Sequence, residues 1–227
     1  MYKGSVLMKC KIAILVPETG MVQMDWALQI ADIKKPDRKI ITMRGGYPLD
    51  QARNILVRTA LEMGAEWIFF LDSDILLPKG TIEKMISRNR PLLSGLYKRK
   101  SETGSIWCCG IRNLDGEAFR FTNNSDWEDE LMSTDVVGAG CLLIHRKVFE
   151  TISIMYPALP WFQWCSDRGY KPEQFPDPLM YNAGEDVYFC LLAKKCGFEV
   201  IIDTTIKCEH IATAYIGEKG VKMEKTI

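Results

Sequence analysis

Residues 66–74 read Glu66-Trp67-Ile68-Phe69-Phe70-Leu71-Asp72-Ser73-Asp74. The apolar run Trp67–Leu71 is long enough for a strand buried on both faces, and it ends abruptly in two carboxylates. An unpaired carboxylate is costly to bury. Two of them at a strand's end point to a bound divalent cation, a basic partner, or an open cleft at the carboxyl edge of a sheet.

Outward from this strand the chain alternates in character. Lys11 to Val16 is a short apolar strand stopped by Pro17, and Met21 to Ile33 carries Met24, Ala27, Leu28 and Ala31 at helical spacing. Lys39 to Met43 is a second strand, closed by Gly45-Gly46. Asp50 is placed to cap a helix from Gln51 to Met63, with Ala52, Ile55, Leu56 and Met63 as its apolar face. Ile82, Met85 and Ile86 mark a short helix, and Leu92 to Tyr97 forms a further strand. Val136 to Ile144 reads as a strand containing Gly138 and Gly140, and glycines there signal a bulge or the close approach of a ligand. Asp186 to Cys196 is a helix and Phe198 to Ile202 a last strand, while the Gly- and Lys-rich tail after Ile216 reads as frayed. This alternation predicts an α/β fold, a mainly parallel central sheet with helices on both faces. Ligands of such sheets gather outside the carboxyl ends of the strands, where Asp72 and Asp74 lie.

The 227 residues suit one domain, and 47% hydrophobic residues suffice for a core. With 29 basic and 29 acidic residues the formal net charge is zero, which argues against a nucleic-acid partner held by bulk electrostatics. No apolar run approaches a membrane span and no secretory signal opens the chain, so a cytoplasmic location is expected. The eight cysteines contain no C-x-x-C pair, which speaks against a zinc knuckle and for reduced thiols.

Few residues remain to carry chemistry. Asp72 and Asp74 suit Mg²⁺ or Mn²⁺, which prefer oxygen ligands; the alternative is two solvated acids in a turn. Glu185 and Asp186 either complement the positive end of a helix or supply a proton acceptor. A helix N-terminus favours the ionised form, so Asp186 is expected to act through position more than proton affinity. His210 is a structural residue or a ligand, and His145 starts a helix or lies on the surface. Arg53 works against the dipole of its own helix, which a nearby phosphate would explain, or it is a surface arginine. Lys98-Arg99-Lys100 reads as a solvated turn. The aromatics between Tyr156 and Phe175 pack in the core or stack on sugar rings.

Ala52-Arg53-Asn54, Ala60, Gly64, Glu66-Trp67-Ile68 and Phe70-Leu71-Asp72-Ser73-Asp74 stand first in a longer order. Gly138-Ala139-Gly140 follows, then Leu142-Leu143-Ile144-His145-Arg146-Lys147-Val148-Phe149-Glu150, Gly184-Glu185-Asp186, Gly197-Phe198 and His210. In order and spacing the chain resembles the nucleotide-diphospho-sugar glycosyltransferases of the GT-A fold, family 2 above all. The resemblance implies one GT-A domain over residues 1–227, with a nucleotide-sugar-binding half (1–100) and an acceptor-binding half (101–227). It implies a UDP- or GDP-linked donor, Mn²⁺ or Mg²⁺, and a hydroxyl acceptor on a glycan, lipid-linked sugar, protein or small molecule. By the same resemblance Asp72 and Asp74 bind the donor and the cation, His210 completes the metal site, and Pro17, Glu18, Thr19 and Ser73 contribute to the nucleotide pocket. Arg53 lies near the diphosphate, and Asp186 is the base with Glu185 beside it; Gly140, and from the aromatic loop Trp161 and Trp164, are assigned to the acceptor side as a further expectation. Inversion at the anomeric carbon follows from Asp186 as base.

Arg44-Gly45-Gly46 stands where members often carry a base-reading acid, which leaves uridine or guanosine open. Two other readings compete. One is a non-catalytic nucleotide- or sugar-binding module. The other is a haloacid dehalogenase-type phosphatase, which wants its motif on the first strand and Thr where Leu76 stands.

Overall fold

The computed structural model describes residues 11–18, 20–33, 35, 37–44, 47–100, 106–122, 129–212, 214–217 and 220–223. The chain begins with β1 (Ile12–Glu18), α1 (Met24–Ile33), β2 (Arg38–Arg44), α2 (Leu49–Glu62), β3 (Trp67–Leu71), β4 (Ile75–Leu76), α3 (Thr81–Ser87) and β5 (Leu92–Leu96). It continues through β6 (Cys109–Arg112), β7 (Phe119–Phe121), β8 (Leu131–Thr134), β9 (Val136–Val137), β10 (Cys141–His145) and α4 (Arg146–Met155). Short 3-10 turns at Pro172–Gln174 and Pro178–Asn182 lead to α5 (Glu185–Lys195), β11 (Val200–Lys207), β12 (Glu209–His210), β13 (Ala214–Gly217) and β14 (Gly220–Met223).

Seven strands form the central sheet in the order β2-β1-β3-β10-β5-β11-β8. Strands β2, β1, β3, β5 and β11 run one way, and β10 and β8 run against them. The sheet is therefore mainly parallel by strand direction, with a reversed strand inserted near its middle.

Successive side chains of a strand point to opposite faces, and here each face is apolar. Ala13, Leu15, Ile68, Phe70, Leu142 and Ile144 join the core under α2, α4 and α5. Ile12, Ile14, Phe69, Leu71 and Leu143 join the core under α1 and α3. All five residues of β3 are buried, as a strand covered on both sides requires.

Several sequence expectations change. Pro17 does not stop β1; it pairs with Met43 of β2, beyond the point where pairing with β3 ends at Leu15 and Phe70. Asp50 does not cap α2, because Pro48 holds that position and Asp50 is buried in the first turn. The stripe Met24, Ala27, Leu28, Ala31 faces outward, with Met24 71% and Leu28 61% exposed. Trp26 is buried instead, and Ile30 and Ile33 pack beside it. Polar anchors set this rotation. The Trp26 indole donates to the Asp72 carbonyl at 2.9 Å, and Gln29 bonds Ile75 and Leu77 of the β4 segment.

The predicted strand Val136 to Ile144 is broken into β9 and β10 by Gly138-Ala139-Gly140. His145 caps α4, its ring nitrogen accepting from the Lys147 amide. Beyond Ile216, Gly217 and Gly220–Met223 pair within the β13–β14 hairpin, where fraying was expected, and 218, 219 and 224–227 lie outside the described residues. Among the described residues, no helix is long and apolar enough to cross a membrane. The described cysteines carry free thiols, and Cys10 lies outside the described residues.

Candidate active site

The site grows from the tight turn that ends β3. The Asp72 amide donates to the Gly140 carbonyl, and the Asp72 carbonyl accepts from the Ile75 amide and the Trp26 indole. With its backbone held on three sides, the turn sends its two carboxylates in different directions.

Asp72 meets Arg53. The Arg53 Nη2 lies 3.1 Å from Asp72 Oδ1, and its Nε lies 3.2 Å from Glu185 Oε1. The guanidinium also rests 5.0 Å over the Phe70 ring and is only 2% exposed. Arg53 is thus no surface arginine. It is a charged strut that ties α2 to the β3 turn and to the start of α5. Burial works against its charge, but Asp72, Glu185 and Asp186 outweigh that and raise its pKa. Nη1 is buried with no hydrogen-bond partner, which leaves one donor edge uncommitted.

Asp74 meets His210 and Lys100. The β4–β12 ladder pairs Ile75 with His210, and the Ile211 amide donates to the Asp74 carbonyl at 2.8 Å, so the chain after β11 is delivered to this turn. His210 Nε2 lies 3.3 Å from Asp74 Oδ2, and Lys100 Nζ lies 2.6 Å from the same oxygen. Burial opposes ionisation of Asp74, yet the hydrogen bonds from His210 and Lys100 prevail and lower its pKa to about 2. His210 Nδ1 sits 2.7 Å from the Lys98 carbonyl. A carbonyl only accepts, so Nδ1 carries a proton; Nε2 donates to Asp74 when the ring is protonated on both nitrogens, and in the neutral ring it presents a lone pair at the same place.

That arrangement fits a divalent cation. An imidazole whose other nitrogen is tied to a backbone carbonyl is oriented as metal-ligating histidines are. Among the described residues no three His, Cys, Asp or Glu side chains converge to hold an ion by themselves. Asp74 and His210 would therefore share a cation with oxygens from water or a phosphate, the habit of Mg²⁺ and Mn²⁺.

Beside this cluster opens a cavity of about 390 Å³, lined by Arg53, Asp72, Tyr97, Arg99, Trp164 and Asp186 among others. Asp186 sits in the first turn of α5, where its own Oδ1 accepts from the Val187 amide. Burial and the charge of Glu185 nonetheless raise its pKa to about 7, against the pull of Arg53 and that amide. The shift runs opposite to the expectation from the helix N-terminus, because burial and the neighbouring Glu185 raise the Asp186 pKa more than Arg53 and the Val187 amide lower it.

No family model matches the chain. Its sequence is 23% identical over 210 residues to the dTDP-rhamnosyl transferase RfbF of Shigella flexneri, covering 87% of this chain and 67% of that protein. Among solved structures, A197 from STIV matches with a TM-score of 0.59 at 16% identity, over 96% of this chain and 95% of that one. GalNAc-T7, solved with UDP, GalNAc and Mn²⁺, matches with a TM-score of 0.50 at 13% identity, over 89% of this chain. This chain spans 44% of the GalNAc-T7 chain. The fold is GT-A. In sequence and in architecture the chain resembles nucleotide-sugar glycosyltransferases.

Within this GT-A frame, the residues singled out in the sequence form two neighbouring groups: Arg53, Asp72, Glu185 and Asp186 line the cavity, while Asp74 pairs with His210, whose ring meets the cavity-lining Tyr97 at 5.5 Å. Ser73 is half-buried in the turn between the acids, and Pro17 lies on the same rim at the end of β1. Thr19 and the side chain of Glu18 lie outside the described residues, as do Gly45 and Gly46. Trp164 lines the cavity, its amide held by Asp50 at 3.0 Å.

Trp161 does not line it. Its indole donates to Phe149 and Ser153, and its ring lines a separate groove with Ile55, Arg58 and Pro157. Gly140 is likewise absent from the lining, since it stands behind Asp72 as its backbone anchor. The glycines around Ala139 make room for the Tyr97 side chain, and Gly138 also lines the cavity. A Cβ at Gly138 would lie 2.0 Å from the Tyr97 hydroxyl, and one at Gly140 would lie 2.9 Å from Tyr97 Cζ and 3.1 Å from Asp72 Oδ2. Tyr97 itself, whose hydroxyl accepts from the Gly140 amide at 2.9 Å, gave no signal beyond ending a predicted strand. Lys100 was masked by its place in a basic triplet that resembles a solvated turn.

Proposed function

We propose that the chain is a metal-dependent glycosyltransferase that moves a sugar from a nucleotide-diphosphate donor to an acceptor hydroxyl, with inversion at the anomeric carbon. One observation carries this reading. A cation-competent pair, Asp74 and His210, adjoins a cavity that holds a carboxyl group titrating near neutrality, Asp186. The names of the matched proteins support a nucleotide-sugar donor: one is a dTDP-rhamnosyl transferase, and another was solved with UDP and Mn²⁺. The base then lies among uridine, guanosine and thymidine.

In this reading Asp74 and His210 would hold Mn²⁺ or Mg²⁺, which would supply Lewis-acid neutralisation of charge on the departing diphosphate. Asp186 accepts the proton of the acceptor hydroxyl, and a pKa near 7 suits a base working at neutral pH. Glu185, engaged by Arg53, positions the start of α5 and is not the proton acceptor. Trp164 offers an aromatic face to the acceptor sugar. Trp161 and Gly140 drop out of the acceptor set, since neither reaches the cavity. The phosphatase alternative loses its footing, because the acidic motif ends the third strand of the chain, not the first.

The test is thermal denaturation with UDP, GDP and dTDP, each with Mn²⁺ or with EDTA. Saturation near a hundred times Kd adds about 2.7 kcal/mol, or roughly 5–10 °C for a chain of this size. A rise that appears only with Mn²⁺ is expected. Equal stabilisation in EDTA would remove the cation from the proposal. Binding without turnover of any nucleotide sugar would leave a non-catalytic module instead.

A further inference from the structure

Lys98, Arg99 and Lys100 are all committed to the site. The Lys98 carbonyl orients His210, Arg99 lines the cavity over the Phe121 ring, and the Lys100 ammonium sits on Asp74. The backbone of Lys98 and Arg99 is held by the Lys98–Trp107 bridge and by the Arg99 amide on the Ile106 carbonyl at 2.8 Å. The Lys98 and Arg99 side chains lie over the Trp107 and Phe121 rings, and Lys100 reaches Asp74 through a flexible four-carbon stem ending in a point charge.

We propose that Lys100 is a displaceable internal occupant of the cation site, which neutralises Asp74 in the absence of metal and moves to the donor diphosphate when a divalent ion takes the carboxylate. The inference rests on the metal-dependent reading above. Its geometry is simple. One oxygen, Asp74 Oδ2, faces both Lys100 Nζ at 2.6 Å and His210 Nε2 at 3.3 Å. An ion shared by Asp74 and His210 would bind that oxygen at roughly 2.1 Å, which places a divalent and a univalent cation within about 5 Å of each other. The ammonium cannot keep its place against that repulsion. A diphosphate arriving with the ion offers it a new anionic partner at close range. Metal alone must evict the lysine, whereas metal with nucleotide rehouses it, so the two bind with positive coupling.

The experiment measures Mn²⁺ binding by electron paramagnetic resonance of the free ion, on the full chain, alone and with UDP, GDP or dTDP. Wild type is compared with Lys100→Met, Lys100→Gln and Lys100→Arg. Removing the competing charge is expected to tighten Mn²⁺ binding without nucleotide by about tenfold, and to abolish most of the tightening that nucleotide brings. Lys100→Arg should stay near wild type. An unchanged or weaker Mn²⁺ affinity in both Lys100→Met and Lys100→Gln overturns the proposal. If Asp74→Asn abolishes Mn²⁺ binding while the lysine variants do not alter it, the lysine's role alone fails. If no variant and no wild-type sample binds Mn²⁺ with any nucleotide, the metal-dependent reading fails and takes this inference with it.

Discussion

Arg53→Met should be among the most damaging single substitutions in this protein, and its cost should depend on pH. The side chain joins Asp72 and Glu185 at 3.1 and 3.2 Å. At an effective dielectric constant near 20, each contact is worth about 5 kcal/mol in gross Coulomb terms. Desolvating the guanidinium cancels much of that. Loss of one partner from a buried pair then nets about 3–5 kcal/mol, because the remaining charge stays buried. The burden falls on Glu185, whose side chain is 5% exposed, more than on Asp72 at 29%. Asp186 adds to it, since Arg53 is one of the groups that hold its carboxyl down from a still higher pKa.

Without Arg53 the Asp186 carboxyl, already raised by burial and Glu185, binds its proton still more readily in the folded protein than in the unfolded chain. Stability of the variant should therefore fall, relative to wild type, as pH rises. Urea unfolding followed by tryptophan fluorescence at pH 8.0 and pH 5.5 measures this. The expected loss is about 3–5 kcal/mol at the higher pH and smaller by about 1–2 kcal/mol at the lower. Adding Glu185→Gln should recover part of the loss at pH 8.0. A deficit below about 1 kcal/mol, equal at both pH values and untouched by Glu185→Gln, would show that the strut carries no net energy.

Two further outcomes are expected. Gly138→Ala places a Cβ 2.0 Å from the Tyr97 hydroxyl, so it should destabilise by roughly 1–3 kcal/mol, and Tyr97→Phe in the same chain should recover part of that; a simple sum of the two single costs would contradict the steric account. The rate of sugar transfer should rise with pH through about 7 and then level, because Asp186 serves as a base only when deprotonated, and Asp186→Asn should keep nucleotide-induced stabilisation while losing turnover. The same raised pKa means that the stabilising contribution of Asp186 is present below its unfolded pKa and lost as pH rises through about 7. Asp186→Asn should thus gain stability over wild type at pH 8 and little at pH 4.

The sequence announced the acids but not their company. An apolar run ending in Asp72 and Asp74 is a local pattern, and β3 forms as read. His210 beside Asp74 depends on the β4–β12 ladder between segments far apart in the chain, and only the family resemblance placed it there. Arg53 in its helix looked like a conflict with the dipole, and the conflict vanishes once Asp72 and Glu185 close on it from two other elements. The stripe of α1 misled because periodicity reports where apolar residues cluster, while Trp26 and Gln29 decided which face turns inward by bonding the β3–β4 turn. The reversed direction of β10 was illegible, since a strand flanked on both sides has the same composition whichever way it runs.

The placement of β10 also governs the order in which this molecule can assemble. During synthesis β1, β2 and β3 can associate as soon as they emerge, but β5 has neither of its neighbours until β10 and then β11 arrive. The aromatic strand that carries the acidic turn waits with one open edge for residues Cys141–His145, some seventy positions later. Nascent chains halted before that point would expose a sticky β edge, so folding on the ribosome should depend on the pace of translation between β5 and β10, and on chaperones that shield the gap.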